Sequence, residues 1–581
     1  MIKRLSKCIR EYKKATILSP IFISVEVILE VFIPLLMGEL IDNGINKNDM
    51  GYILKMTPVL VVLCLLSLSA GVLSGTNAAK ASAGFAKNLR HDMYHNVQGF
   101  SFANIDKFST SSLVTRLTTD VTSLQNSYQM IIRIAVRSPV MLITSLVMAL
   151  KINARISSIF LCVIPFLGVA LYLIASKAHP IFKKMFVTFD KLNRVVNENL
   201  HGIRVVKAFV REEEENKKFT SVSNEIYSYS KGAEAILAFN APVMQFSSYL
   251  SMLLIAWFGA KLIISTNSTA MTTGNLFSVI TYTMQILSTL MMLSMIFVML
   301  TMSRASAERV CEVLNEESDL QSPENAVTEV KDGSIVFENV SFSYSKNEES
   351  PLCLKDVNLT INSGETIGII GSTGSSKTTF VQLIPRLYDA TQGRVLVGGT
   401  DVKDYDLDSL RNEVAMVLQK NVLFSGTIKD NLRWGNEDAT DEEMIAACKL
   451  AEAHPFISEM PDGYDTYIEQ GGTNVSGGQK QRICIARSLL KSPKILILDD
   501  STSAVDTKTD ALIRIAMNQY IPETTKIIIA QRISSIESAD KIIVLDGGNV
   551  VAFGTHEELL KSCDIYKDVY YSQVKAGDND E

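Results

Sequence analysis

The residues best placed to do chemistry lie between positions 365 and 532. Glu365–Phe380 reads ETIGIIGSTGSSKTTF, an apolar strand followed by a glycine-containing loop and then Lys-Thr opening a helix. In that context the backbone N–H groups of Gly371, Ser372, Thr373, Gly374, Ser375 and Ser376 converge on phosphate oxygens at a helix N-terminus. Lys377 supplies a point charge, Thr378 a hydroxyl for Mg²⁺, and Thr379 continues the helix. Ser376 stands where this pattern ends on glycine, so a Cβ occupies space that close backbone approach needs. Lys494–Asp500 reads KILILDD, a buried apolar strand ending in two carboxylates, and Asp499 suits the Mg²⁺-orienting acid of a P-loop ATPase. Between them, NVSGGQKQ places Ser476, Gly477, Gly478 and Gln479 before an apparent helix, where they present donors to a phosphate.

These motifs need an α/β scaffold, and the chain supplies one only after about residue 330. There a polar linker gives way to short apolar runs alternating with helical stretches. The first half differs. Six apolar runs, near 15–41, 52–79, 131–151, 156–177, 236–264 and 274–303, are each long enough to cross about 30 Å of hydrocarbon. Leu262–Ser303 and Met56–Ala79 carry no Asp, Glu, Lys or Arg. Lys3, Arg4, Lys7, Arg10, Lys13 and Lys14 precede the first run, which places the N-terminus in the cytosol and, after six crossings, the second half there too. The first run is too long for a cleavable signal peptide and is expected to remain. The inside segments near 80–130 and 178–235 are long, polar and helical in pattern, as membrane helices extended into the cytosol would be.

Composition agrees with a mixed membrane and soluble chain. Of 581 residues, 47% are hydrophobic and 20% charged, and the net charge of −6 excludes the basic field that nucleic acid requires. The eight cysteines are scattered, without metal or disulfide spacing, and read as free thiols.

The order of P-loop, VLQKNVLF, VSGGQ, ILILDD and SAVD (Ser503–Asp506) resembles the ABC transporter family, and the six spans make the chain look like an exporter-type half-transporter over its whole length. The resemblance implies an all-α six-helix transmembrane domain (1–315), a linker (316–334) and an α/β P-loop ABC ATPase domain (335–581). It implies ATP and Mg²⁺ as cofactors, with Tyr344 stacked on adenine, Gln419 at the Mg²⁺ site beside Thr378 and Asp499, and Asp506 at a dimer interface. Ser476–Gln479 complete the site of a partner, and the segments Phe108–Arg116 and Gly202–Arg211 resemble coupling helices.

Two departures bear on catalysis. Where the family places a water-polarising glutamate the chain has Asp500, one methylene shorter, and where it places a histidine the chain has Gln531. A displacement of about 1 Å in a catalytic group costs about a hundredfold in rate. Gln531 donates a hydrogen bond but carries no charge. The expectation is therefore a heterodimer: this chain's degenerate site holds ATP, while its intact signature completes a competent site on a second half-transporter. The expected activity is plasma-membrane export of hydrophobic or amphipathic small molecules. Peptide or lipid export, siderophore import, and a non-transporting ATP-sensing regulatory subunit stand as alternatives.

Within the spans, Glu26 and Glu30 sit one helical turn apart, as do Arg133 and Arg137. Mutual pairing or snorkelling is the expected role, with a charged substrate the alternative. Met284, Met291, Met292, Met295, Met299 and Met302 crowd the last span; lipid-facing packing is the expectation, and a polyspecific cavity the alternative. The run REEEE at Arg211–Glu215 reads as a solvated helix face.

Overall fold

The computed structural model describes residues 1–345 and 351–577, and for residues 161, 294, 297, 298, 302 and 574–577 the backbone only. The side chain of Met302 therefore lies outside the described residues. Two compact units result, Met1–Gln98 with Thr110–Glu316, and Gly99–Ser109 with Glu317–Glu581.

The first unit is helical throughout. Its long helices are α1 (Lys13–Glu39), α2 (Met50–Gln98), α4 (Val121–Ile152), α5 (Ile159–His201), α6 (Glu212–Leu237), α7 (Asn240–Ser265) and α8 (Thr273–Asn315), while the short α3 (Phe102–Lys107) belongs to the second unit. Among the described residues, six helical segments are long and apolar enough to cross a membrane. The apolar runs end well before the helices do. At 1.5 Å per residue the 49 residues of α2 extend about 73 Å, more than twice a hydrocarbon core.

Small and hydroxyl residues set the helix crossings, as expected where lipid removes the hydrophobic drive between helices. Ser74 donates to the Ser19 carbonyl at 3.1 Å, Tyr282 to Val31 at 2.6 Å and Ser278 to Pro34 at 2.7 Å. A Cβ on Gly274 would fall 2.0 Å from the Gly38 carbonyl oxygen, so α1 and α8 meet backbone to backbone there. Asp42 holds that junction by accepting from the Gly274 N–H at 2.8 Å and from the Thr272 hydroxyl. It lies in a π-helical turn, Leu40–Ile45, and a second such turn, Arg116–Asp120, opens α4. The acidic run Glu212–Glu215 opens α6 and pairs with Lys207, Arg211, Lys217 and Lys218 on the surface, as a solvated face does.

Glu26 and Glu30 take part in the expected pairing, both with the same arginine. Arg137 of α4 reaches across to both, contacting Glu26 Oε1 and lying 2.6 Å from Glu30 Oε2. Arg133 makes no ion pair or hydrogen bond among the described residues.

The second unit is α/β. One sheet is antiparallel, in the order β2 (Leu354–Ile361), β1 (Ile335–Phe342), β4 (Gln392–Val397) and β5 (Thr400–Asp401). The other contains β3 (Thr366–Gly371), β6 (Val414–Val417), β7 (Ile495–Asp499), β8 (Thr525–Ile529), β9 (Lys541–Asp546) and β10 (Asn549–Gly554), in the order β10-β9-β3-β8-β7-β6. Every pairing in it is parallel except β9–β10. β7 and β8 are buried along their whole length, which is why Ile495–Leu498 and Ile527–Ile529 read as continuous apolar runs rather than alternating ones.

The segment Gly99–Ser109 belongs to this unit although its sequence neighbours are membrane helices. Ser101 and Asn104 form a capping box that starts α3. The Tyr388 hydroxyl donates to Asp106 Oδ2 at 2.6 Å, and Phe102 meets the Tyr388 ring edge-on at 6.0 Å. Of the segment expected to be a coupling helix, Phe108–Arg116, only Phe108 and Ser109 lie in this unit, and the docked helix is the preceding one. Gly202–Arg211 forms a short exposed helix, Ile203–Ala208, within the first unit.

Candidate nucleotide site

The candidate residues gather at the carboxyl ends of four adjacent parallel strands, the place where open α/β sheets bind ligands. The loop Gly371–Ser376 follows β3 and leads into α9 (Lys377–Gln382). Gln531 follows β8, Asp499 and Asp500 end β7, and Gln419 follows β6. Strand register brings them together, since Ile529 pairs with Asp499 and the Asp500 N–H donates to the Ile529 carbonyl at 3.1 Å.

In the loop, Lys377 Nζ donates to the carbonyls of Gly371 at 2.8 Å and Ser372 at 2.9 Å, curling over a hollow lined by backbone. Burial pushes its ammonium below the usual lysine value, with Asp499 and Asp500 opposing. Ser375 is buried against Gly371, whereas Gly374 has φ +84 and open space around it. Ser376 holds φ +72, a left-handed conformation costly for a residue with a Cβ, and its side chain does not cap α9.

Thr378 Oγ1 donates to Asp499 Oδ1 at 3.2 Å. Asp499 is buried, and its second oxygen, Oδ2, has no partner among the described residues. A buried carboxylate oxygen left without a donor is expensive, and a hard cation or its water satisfies it, so these residues fit Mg²⁺. Burial raises the Asp499 carboxyl above the ordinary 3.8. Asp500, also raised by burial, sits at φ +50 and accepts from Gln531 Nε2 at 2.8 Å.

Tyr344 lies just beyond β1, half-exposed, with its hydroxyl 2.9 Å from Thr379 Oγ1 and its ring edge-on to Tyr388 at 5.2 Å. Ser476 begins α10 (Gly477–Leu489) in a capping box: its Oγ accepts from Gln479 N–H at 3.3 Å, and Gln479 Oε1 accepts from Ser476 N–H at 3.0 Å. Close approach explains Gly478, where a Cβ would come 2.8 Å from the Ala504 carbonyl oxygen. Gln481 accepts from the Ala504 N–H at 3.0 Å and donates to Ser503 at 3.3 Å, bracing the exposed α10 N-terminus on the segment after β7. Asp506 caps α11 (Thr507–Tyr520) through the Thr509 N–H at 3.0 Å. Sequence reading missed Gln481, Asp106 and Tyr388 because none belongs to a local pattern with a chemical meaning of its own.

Known proteins agree with this arrangement. The description "ABC transporter transmembrane region" matches residues 16–303, and "ABC transporter" matches 354–503. The uncharacterized ABC transporter ATP-binding protein YfiB of Bacillus subtilis is 37% identical over 548 residues, 94% of each chain. The chain belongs to the ABC transporter family. An uncharacterized member from Mycobacterium tuberculosis H37Rv is 34% identical over 578 residues, 99% of this chain and 98% of that protein. A putative member from Streptococcus pneumoniae, exp8, is 30% identical over 580 residues, with 99% and 98% covered. The structure of a bacterial Atm1-family ABC exporter with ATP bound shares the fold, with TM-score 0.81 at 24% identity over 97% of this chain and 99% of that one. This ABC transporter chain is accordingly a multi-pass membrane protein with a cytosolic ATPase domain, and it couples ATP hydrolysis to transport.

Proposed function

We propose that the chain is one half of a heterodimeric ABC exporter for hydrophobic or amphipathic compounds, and that its own ATP site binds MgATP but hydrolyses it poorly. The observation that carries this reading is the bond between Gln531 and Asp500. The two groups at the positions for water activation and γ-phosphate sensing are the short acid and the neutral amide, and each occupies the other. Asp500 reaches less far than glutamate, and the neutral amide of Gln531 cannot serve as a general acid or base.

In this reading Tyr344 stacks on adenine, the loop Gly371–Ser376 with Lys377 holds the phosphates, and Thr378, Asp499 and Gln419 hold Mg²⁺. The bound Mg²⁺ supplies charge neutralisation at the phosphates. Ser476, Gly477, Gly478 and Gln479, presented at the exposed start of α10, face the nucleotide of a partner half-transporter. The hydrolysis that drives transport occurs at that composite site.

Steady-state ATPase of the purified chain alone, and again after co-expression with candidate half-transporters, tests this. Near-zero activity alone and strong activity in a pair, lost when the partner's catalytic glutamate is replaced, supports it; vigorous activity of the lone chain overturns it. MgATP-driven accumulation of a lipophilic dye in inverted vesicles tests the substrate class.

A further inference from the structure

After β8 the chain runs through Ala530 and Gln531 into a single 3-10 turn, Ile533–Ser535. No side chain of Arg532 caps that turn, so the Ile533 N–H needs an acceptor from elsewhere. Arg532 itself is extended, with φ −101 and ψ 132. In extended backbone the carbonyl before a residue and the N–H after it point the same way. The Gln531 carbonyl and the Ile533 N–H therefore face one partner, as they would face a neighbouring strand.

That partner is the side chain of Gln573. Its Oε1 accepts from the Ile533 N–H at 2.8 Å, and its Nε2 donates to the Gln531 carbonyl at 2.9 Å. A carboxamide carries an acceptor and a donor side by side, which is what this pair of main-chain groups requires. Gln573 lies on α12 (Asp564–Gly577), where Tyr566, Val569, Tyr570 and Gln573 share one face at i, i+3, i+4 and i+7. Tyr566 is fully buried with its hydroxyl 2.7 Å from His556 Nδ1, and Val569 and Tyr570 pack on the apolar core that holds Ile533 and Ile536. The face that presents Gln573 is thus anchored within one to two turns of it.

Two further grips on this segment act through its side chains and lead to α11. Arg532 donates to Thr507 Oγ1 at 3.2 Å, and Ser535 donates to Asp510 Oδ2 at 2.8 Å. Gln531 is held at both ends, by its carbonyl to Gln573 and by its amide to Asp500. With the main chain fixed, releasing Asp500 for a phosphate oxygen takes only rotation of the Gln531 side chain, and the turn is ordered before nucleotide arrives.

We propose that Gln573 is a positioning residue for the nucleotide site: it fixes the backbone on both sides of Arg532 so that Gln531 Nε2 transfers its hydrogen bond from Asp500 to the terminal phosphate of ATP. The inference rests on the reading that this site holds MgATP, and it extends the site to a helix about forty residues further along the chain.

The test uses the full chain in nanodiscs and displacement of a fluorescent ATP analogue, by MgATP and by MgADP separately. Gln573→Met keeps the length of the side chain and removes both bonds. Affinity for MgATP should fall by about fivefold, as loss of one to two hydrogen bonds gives, while MgADP, with no terminal phosphate for Gln531 to reach, stays unchanged. Gln573→Glu keeps the acceptor for Ile533 but sets a carboxylate oxygen against the Gln531 carbonyl, so it should lose as much and serves where the methionine variant does not fold. In a Gln531→Ala background Gln573→Met should add nothing, because the group it positions is gone. An equal fall for both nucleotides, no fall for MgATP, or an undiminished effect in Gln531→Ala overturns the proposal alone. A wild-type chain that binds no nucleotide overturns the MgATP reading beneath it as well, so the two failures are told apart.

Discussion

Gln531 donates from Nε2 to Oδ2 of Asp500 across the ends of two adjacent parallel strands, at 2.8 Å. The bond restrains both side chains. Asp500→Glu alone lengthens the acid but leaves the amide beside it, whereas Asp500→Glu with Gln531→His restores both groups. Phosphate release by the double variant should exceed the wild-type chain by about tenfold or more, and the single variants should fall well short of it.

Ser376 keeps a left-handed conformation, φ +72, that favours glycine. Ser376→Gly removes that strain and opens the phosphate hollow. The expected result is binding of a fluorescent ATP analogue tighter by about fivefold, corresponding to about 1 kcal/mol.

Asp499 is raised above the ordinary carboxylate value of 3.8 by burial. For a group whose folded value lies higher, the neutral form favours folding. Its contribution is complete below pH 3.8 and is lost as pH rises through the folded value. Asp499→Asn should therefore raise the unfolding temperature of the nucleotide-free chain at pH 7.5, with the gain shrinking at acid pH, while MgATP stabilisation disappears. Thermal unfolding at several pH values, with and without MgATP, reads both effects.

Arg137 answers two carboxylates at once. Arg137→Met leaves them unpaired in the membrane unit and should cost about 3 kcal/mol or more, visible as a lower temperature of half-inactivation in detergent. Adding Glu26→Gln and Glu30→Gln should recover most of the loss, because the desolvation cost leaves with the charges.

Much of this was legible in the sequence, for physical reasons. The loop around Lys377, the strand ending at Asp499 and the six spans are local patterns, fixed by the period of apolar residues and by the chemistry of adjacent side chains. The companion of Asp500 was not legible, because it depends on register between β7 and β8, and neither was the reach of Arg137 across two helices. Helix ends were also hidden. The α2 helix runs from Met50 to Gln98 because polar helix continues where the apolar stretch stops. Gly99–Ser109 reads as part of its neighbours, since nothing in eleven residues announces a docking partner such as Tyr388, 282 positions away from Asp106.

That separation also sets a timetable for biosynthesis. At about 5–20 residues per second, the ribosome reaches Tyr388 some 14–56 seconds after making Asp106. Throughout that interval α3 has been synthesised without the surface it docks on, while the helices after it are being inserted. The ATPase unit therefore closes around a piece of chain made long before the rest of it, and completes last.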